Sequence, residues 1–211
     1  MSLISTYDLR NWMGVEDGDR SPNPKLESIS RAIEDFVDSY TNRKLEAQVY
    51  RTHNDYCYLD GTGRNYIYLP QTPVSYVSEV AIDSDRVFGA GTTIGSADLF
   101  WYPQEGKLIS EGGNFIRGRR NVRVDFIAGY APVVGNTHNA AVSSYPLPLD
   151  LKQTMIEMCV ESFKTGLTAV HSAVGAQGEP MFIQLLTKNS YWSYTLNKYK
   201  NFGLGLVGYD E

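Results

Sequence analysis

The sequence predicts an α+β fold. We expect a small helical bundle with helices near 5–13, 24–41 and 148–165, an antiparallel β-sheet or small barrel inserted over about 46–130, and a C-terminal arm. Three observations carry this. Apolar residues recur at helical spacing from Leu26 to Tyr40 and again from Leu151 to Phe163. Between them lie short apolar runs separated by Gly, Pro and Asn, the pattern of antiparallel strands joined by tight turns. Near the end, the run from Phe202 to Tyr209 holds three glycines, too many for a good helix. The expected division is one α+β domain over 1–180 and an arm over 181–211.

Composition narrows the class. The 211 residues are 42% hydrophobic and 20% charged, an ordinary globular balance. A net charge of −5 argues against a protein that coats nucleic acid, which shows a basic domain. It leaves room for one past which DNA slides without being gripped. Cys57 and Cys159 fit no metal or disulfide spacing, and both read as buried small hydrophobes in a reducing compartment. The N-terminus lacks a basic region followed by an apolar run, and no stretch reaches the roughly 18 apolar residues of a membrane span.

The elements follow in order. Ser5 with Asp8 three residues on makes a capping box before Leu9, Trp12 and Met13, and Gly14 ends that helix. Asp17 and Asp19 lie in a polar loop without calcium-loop spacing. Asn23 is expected to cap the next helix, with Pro24 in its first position. Leu26, Ile29, Ile33, Phe36, Val37 and Tyr40 form its apolar stripe. Glu27, Arg31, Glu34, Asp35 and Asp38 make an acidic face, either solvated or a subunit contact.

A strand over about 46–52 leads into the stretch from Tyr56 to Ile82. Asp60-Gly61 and Gly63 mark a tight turn. Ile67 and Leu69 should share one face, with Tyr66 and Tyr68 on the other. Pro70 and Pro73 make a corner, after which Val74, Tyr76, Val80 and Ile82 are expected on one face. Residues 83–96 read as a long Gly-rich loop without the Lys and helix of a phosphate cradle, so no nucleotide cofactor is expected. Short strands at 97–102 and 107–110 precede 121–128, where Val122, Val124 and Phe126 alternate with Arg123 and Asp125. A loop over 132–146 contains His138. Pro148 opens the last long helix, with a stripe of Leu151, Met155, Met158, Cys159 and Phe163 widened by Ile156 and Val160.

Residues able to do chemistry are sparse. His53, Asp55 and Cys57 would share one face of a strand, so a hydrolase is one alternative, though nothing marks an oxyanion site. His138 and His171 stand alone, and no metal or cofactor is expected. Arg117, Arg119, Arg120 and Arg123 form the one concentrated basic patch, fit for phosphates, for an acidic partner, or for a solvated hairpin end. Tyr191, Trp192, Tyr194 and Tyr199 interleave with Lys188, Lys198 and Lys200, as in a surface that stacks single strands or an arm that packs on another protein. Phe202, Leu204, Leu206 and Tyr209 extend that arm and need a partner surface. A nucleic-acid-binding module built on the basic patch is the other alternative.

The order of features resembles the head–tail connector (adaptor, or head-completion) proteins of tailed phages. The residues that carry the resemblance are Ile29-Ser-Arg-Ala-Ile-Glu-Asp-Phe-Val-Asp-Ser-Tyr-Thr-Asn-Arg43, Leu59-Asp-Gly-Thr-Gly63 and Leu69-Pro-Gln-Thr-Pro-Val74. Asn121-Val-Arg-Val-Asp-Phe-Ile-Ala-Gly-Tyr-Ala131 and Pro148-Leu-Asp-Leu-Lys-Gln153 follow. They span about residues 5 to 165. The 83–96 and 132–146 stretches are longer than the family's links, and the chain past 180 does not match closely. The resemblance implies a structural virion protein without enzymatic activity, made in the host cytoplasm and placed at the neck. It implies a homo-oligomeric ring, typically of twelve copies, that docks beneath the portal protein and receives the next neck or tail protein. Genomic DNA would pass through that ring without tight binding, and no membrane would be involved. The acidic face of helix 24–40 and the Arg117–Arg123 patch are the expected complementary surfaces between neighbours.

Overall fold

The computed structural model describes residues 3–16, 20–51, 57–131, 145–165, 186 and 189–201. The described residues group into two compact units. One holds 3–45 and 147–201 and is helical; the other holds 46–131 with 145–146 and is built of strands.

The helical unit contains α1 (Thr6–Met13), α2 (Asn23–Thr41), α3 (Leu149–Lys164) and α4 (Ser190–Lys198). In α1 the Asp8 amide donates to Ser5 Oγ, the Ser5 amide donates to the Asp8 carboxylate, and Gly14 closes the helix at φ 68°. The start of α2 differs from expectation. Pro22 holds the cap position with no side-chain cap, and Asn23 and Pro24 are the first two helical residues. A proline fits there because amides in the first turn have no intrahelical acceptor. At the other end Asn42 is left-handed (φ 53°), and the Asp38 carboxylate accepts the Leu45 amide and pairs with Lys44. Leu26, Ile29, Ile33 and Val37 are buried as their spacing predicts. Helix α3 buries Leu151, Met155, Met158 and Cys159 together with Ile156 and Val160, because α1, α2 and α4 all pack against it.

Within the expected arm, residues 190–198 are helical. The Asn189 side chain accepts the Tyr191 amide as an N-cap, and Trp192, Thr195 and Leu196 form a buried stripe at i, i+3 and i+4.

The β unit contains β1 (Gln48–Tyr50), β2 (Tyr58–Gly61), β3 (Tyr66–Tyr68), β4 (Val74–Ile82), β5 (Thr93–Ile94), β6 (Leu99–Tyr102), β7 (Lys107–Ser110) and β8 (Gly118–Ala128). Its two antiparallel sheets share one core. In the larger, β8 is central: β4 pairs along one edge, β1 and β2 pair along the other, and β5 adds to β4. The smaller has the order β3-β7-β6. Val122, Val124 and Phe126 share the core with Val77 and Val80 of the same sheet and with Ile67, Leu108 and Phe115, and Tyr50 stacks on Phe126 at 4.8 Å.

Two details of the larger sheet depart from the sequence pattern. On β4 the buried residues are Val74, Val77, Val80 and Ala81, and Tyr76 is exposed. The register shifts between Val74 and Tyr76 and again between Val77 and Glu79, and each extra residue reverses the alternation. The stretch expected to be a long loop also carries a 3-10 turn at Ala90–Thr92 and the short strand β5.

Asn121 ties the β2 turn to β8. Its Oδ1 accepts the Gly61 amide at 2.9 Å, its Nδ2 donates to the Ile116 carbonyl at 2.8 Å, and its own carbonyl accepts the Asp83 amide. Asn121→Ala orphans two backbone groups, at about 1–3 kcal/mol each. Urea unfolding should show the midpoint falling with an unchanged slope, equivalent to a loss of about 2–4 kcal/mol.

Candidate interaction surfaces

The basic patch forms where β2 and β8 meet, with Gly61 opposite Gly118. Arg117, Arg119 and Arg120 are exposed. The Arg120 amide donates to Asp60 at 2.7 Å, its backbone is left-handed at φ 51°, and its guanidinium lies 5.5 Å from the centre of the Tyr58 ring. Arg123 behaves differently. It donates to Glu79, lies over the Phe88 ring and is half-buried, so its charge is spent within the chain. Burial is the main influence on the neighbouring Asp125 and raises its pKa; Arg123 opposes this and Glu79 adds to it.

Another exposed arginine, Arg64, has its backbone near Arg117 and its side chain turned to Tyr66. Gly63 packs beside Arg117, and the next residue, Arg64, donates to the Tyr66 hydroxyl. Arg64 is far from Arg117 in sequence, and only the β2–β8 pairing reveals the neighbourhood.

The four α4-region aromatics separate into two pairs. Trp192 is 6% exposed, and its indole N–H donates to Glu157 at 2.8 Å. The Tyr199 hydroxyl donates to Asp150, which also pairs with Lys198 at 2.8 Å. Tyr191 and Tyr194 are exposed. Of the lysines that interleave with them, Lys198 and Lys200 are placed, the latter 5.1 Å from the centre of the Tyr40 ring. Lys188, Phe202, Leu204, Leu206 and Tyr209 lie outside the described residues.

Two carboxylates in the helical unit have lowered pKa values. For Asp150 burial is the largest influence and acts upward, but hydrogen bonds from Lys198, Tyr199 and the Leu151 amide outweigh it. For Asp8 burial likewise acts upward and is outweighed by Ser5 and Lys152. A depressed folded-state pKa contributes stability that is present above the usual carboxylate value and lost as pH falls through the lowered one. Melting temperature should therefore drop as pH falls below about 4, and Asp150→Asn should weaken that dependence.

Of the residues considered for catalysis, only Cys57 is among those the structure describes. Cys57 is buried, and its thiol is pushed up to about 12, chiefly by burial, with Asp125 adding and Arg123 opposing. A thiol so held is not a nucleophile at neutral pH. His53, Asp55, His138 and His171 lie outside the described residues. Cys159 is also buried, and its thiol is raised by burial and by Glu34. Among the described residues no cluster of three His, Cys, Asp or Glu could hold a metal ion, and no helix is long and apolar enough to cross a membrane.

The acidic face of α2 is smaller than its sequence suggests. Glu34 accepts the Leu3 and Ile4 amides, and Asp38 holds Lys44 and the Leu45 amide. Glu27 and Asp35 stay exposed, with Arg31 between them.

The outer face of the β3-β7-β6 sheet was not anticipated as a surface. Strand register places Tyr66, Ile109 and Phe100 in one row and Tyr68, Lys107 and Tyr102 in the next. Tyr68, Phe100 and Tyr102 are exposed, and Lys107 lies 4.7 Å from the centre of the Tyr66 ring. The alternations Tyr66-Ile67-Tyr68 and Phe100-Trp101-Tyr102 are visible in sequence; their joining across β7 is not.

No protein-family model and no curated protein matches the chain. Solved structures do. The chain is similar to one from the neck of an empty gene transfer agent (GTA) particle computed with C6 symmetry. The TM-score is 0.55 at 18% identity, over 98% of this chain and 93% of that one. It is similar to one from the neck of the native particle computed with C12 symmetry, with TM-score 0.52 and 17% identity over 96% and 90%. A third similarity is to a chain of the native particle's virion, with TM-score 0.51 and 14% identity over 98% and 93%. At these identities the likeness is one of fold, and it agrees with the expected α+β class.

Proposed function

We propose that this chain is a structural virion protein, a head–tail connector that forms a ring under the capsid portal, joins head to tail and lines the DNA exit channel. The observation that carries this reading is the near-full-length fold likeness to chains of particle necks, one computed with C12 and one with C6 symmetry. The order of sequence features led independently to the same family. In this reading the chain is made in the host cytoplasm and has no enzymatic role. Its partners are the portal protein, eleven further copies in a ring of about twelve, as a C12 neck suggests, and the next neck or tail protein. A net charge of −5 lets the genome pass without sticking, because phosphates are repelled.

Particles assembled without the chain should be filled or leaking heads that lack tails, and supplying the chain should restore joining. Tailed particles formed in its absence would overturn the reading.

The exposed arginines Arg117, Arg119 and Arg120, and Glu27 with Asp35 on α2, are proposed as complementary contacts between copies or with the portal. The exposed Tyr191 and Tyr194, and the 202–209 run with Phe202, Leu204, Leu206 and Tyr209, are proposed as partner contacts of the C-terminal region. Arg119→Glu with Arg120→Glu should cut head–tail joining while changing stability by no more than about 0.5 kcal/mol, since both side chains are on the surface. Normal ring assembly by that variant would remove the arginines from the interface.

A further inference from the structure

We infer that the aromatic outer face of the β3-β7-β6 sheet is a socket for the 83–88 loop of a second copy of this chain. The inference rests on the ring reading and specifies one of its contacts.

The socket is a continuous patch of Tyr66, Tyr68, Phe100 and Tyr102 with Lys107 at its centre and Arg64 at its edge. Phe100 is 52% exposed. Exposed aromatic rings beside cations are the composition of buried protein contacts. They suit a stacked nucleic acid less well. The rings meet edge to face, Tyr66 with Tyr68 at 80° and Phe100 with Tyr102 at 88°, and Lys107 already lies over Tyr66. Bases stack on open ring faces, and here the Tyr66 face is taken by Lys107.

The plug is a preorganised loop. The Asp83 carboxylate accepts the amides of Asp85, Val87 and Phe88 at 2.8–3.1 Å. Phe88 sits against Tyr58 and under the Arg123 guanidinium, which anchors the loop on the larger sheet. Val87 then projects with 78% of its surface exposed, flanked by exposed Asp85 and Arg86. A loop already held in shape loses little entropy on docking.

Charge and position both fit a second copy. Asp85 complements Lys107 and Arg64, and Arg86 complements Glu105, which is exposed in the turn after Tyr102. Arg123, and hence Phe88, lies on the outer face of the larger sheet, and the aromatic rings lie on the outer face of the smaller. The shared core separates them. A plug on one side and a socket on the other make a head-to-tail contact that repeats from copy to copy, as a closed ring requires.

The test is disulfide cross-linking in assembled particles carrying Val87→Cys with Phe100→Cys, using dioxygen and a copper catalyst as oxidant. Cys57 and Cys159 are buried and add no surface thiol. The expected result is a ladder of chain multimers without reductant, with each single variant staying at monomer mobility. Particles whose necks contain the ring but give no ladder overturn the interface and leave the connector reading standing. Necks without a ring of this chain overturn both. Should the double variant fail to assemble, carbodiimide treatment of unmodified particles decides. A Lys107–Asp85 cross-linked peptide within multimer bands supports the contact, and its absence from ring-bearing particles overturns it.

Discussion

Gly61→Ala is expected to unfold the β unit. A methyl carbon at position 61 would lie 1.8 Å from the Ile116 carbonyl oxygen and 2.8 Å from Asn121 Oδ1. The first obstacle is backbone, so no rotamer change relieves it. Moving the Ile116 backbone away also breaks the Asn121 bond to Ile116 and disturbs the bond from the Gly61 amide to Asn121. Overpacking alone costs about 1–3 kcal/mol in ordinary cores, and two buried hydrogen bonds add to it at about 1 kcal/mol each. We expect a loss of about 4 kcal/mol or more, in the range that single substitutions reach only by such combined mechanisms. Gly63→Ala serves as the control. Its neighbour is at 3.6 Å, and its cost is the left-handed backbone at φ 75°, about 1–2 kcal/mol. Urea unfolding followed by near-ultraviolet circular dichroism measures both. A Gly61→Ala protein as stable as its parent would contradict the packing described.

Trp192→Ala is expected to be the most damaging change in the helical unit. The indole is buried, and its N–H satisfies Glu157 on α3. Truncating a buried aromatic costs about 3–5 kcal/mol. Trp192→Phe keeps most of the apolar contact and should lose only about 1 kcal/mol for the hydrogen bond. Tyr194→Ser, on the exposed side of the same helix, should change stability by about 0.5 kcal/mol or less. The comparison separates a helix that belongs to the unit from one that waits for a partner. It also bears on truncation. Ending the chain before residue 189 removes Trp192, Leu196 and the Tyr199–Asp150 bond, so it should weaken the helical unit as well as any contact beyond it.

Much of this architecture is legible in the sequence, and the failures have physical causes. The periods of α2 and β8 are clean because each buries a single stripe or face, so Leu26 to Val37 and Val122 to Phe126 emerge directly. Helix α4 is obscure because aromatic residues lie on both its buried and its exposed sides: Trp192 and Leu196 turn inward, while Tyr191 and Tyr194 do not. Tyr76 is misplaced by period counting because bulges in β4 shift its phase. Asn121 looks like an ordinary polar residue at a strand start, since its partners Gly61 and Ile116 are set by tertiary contact. The surfaces suffer most. Pairing joins two aromatic alternations into one face, with Arg64 beside Tyr66 at its edge. It also withdraws Arg123, Glu34 and Asp38, whose charges the chain uses itself. Long-range pairing decides which charged residues remain available, and single-sequence patterns carry little information about it.

The most direct test of the connector reading is an electron cryomicroscopy reconstruction of the neck of particles assembled with this chain. The account predicts a ring directly beneath the portal, with about twelve copies as in a C12 neck, into whose density this fold fits, leaving an open central channel. A neck built without this chain, or the chain located elsewhere in the particle, would contradict it.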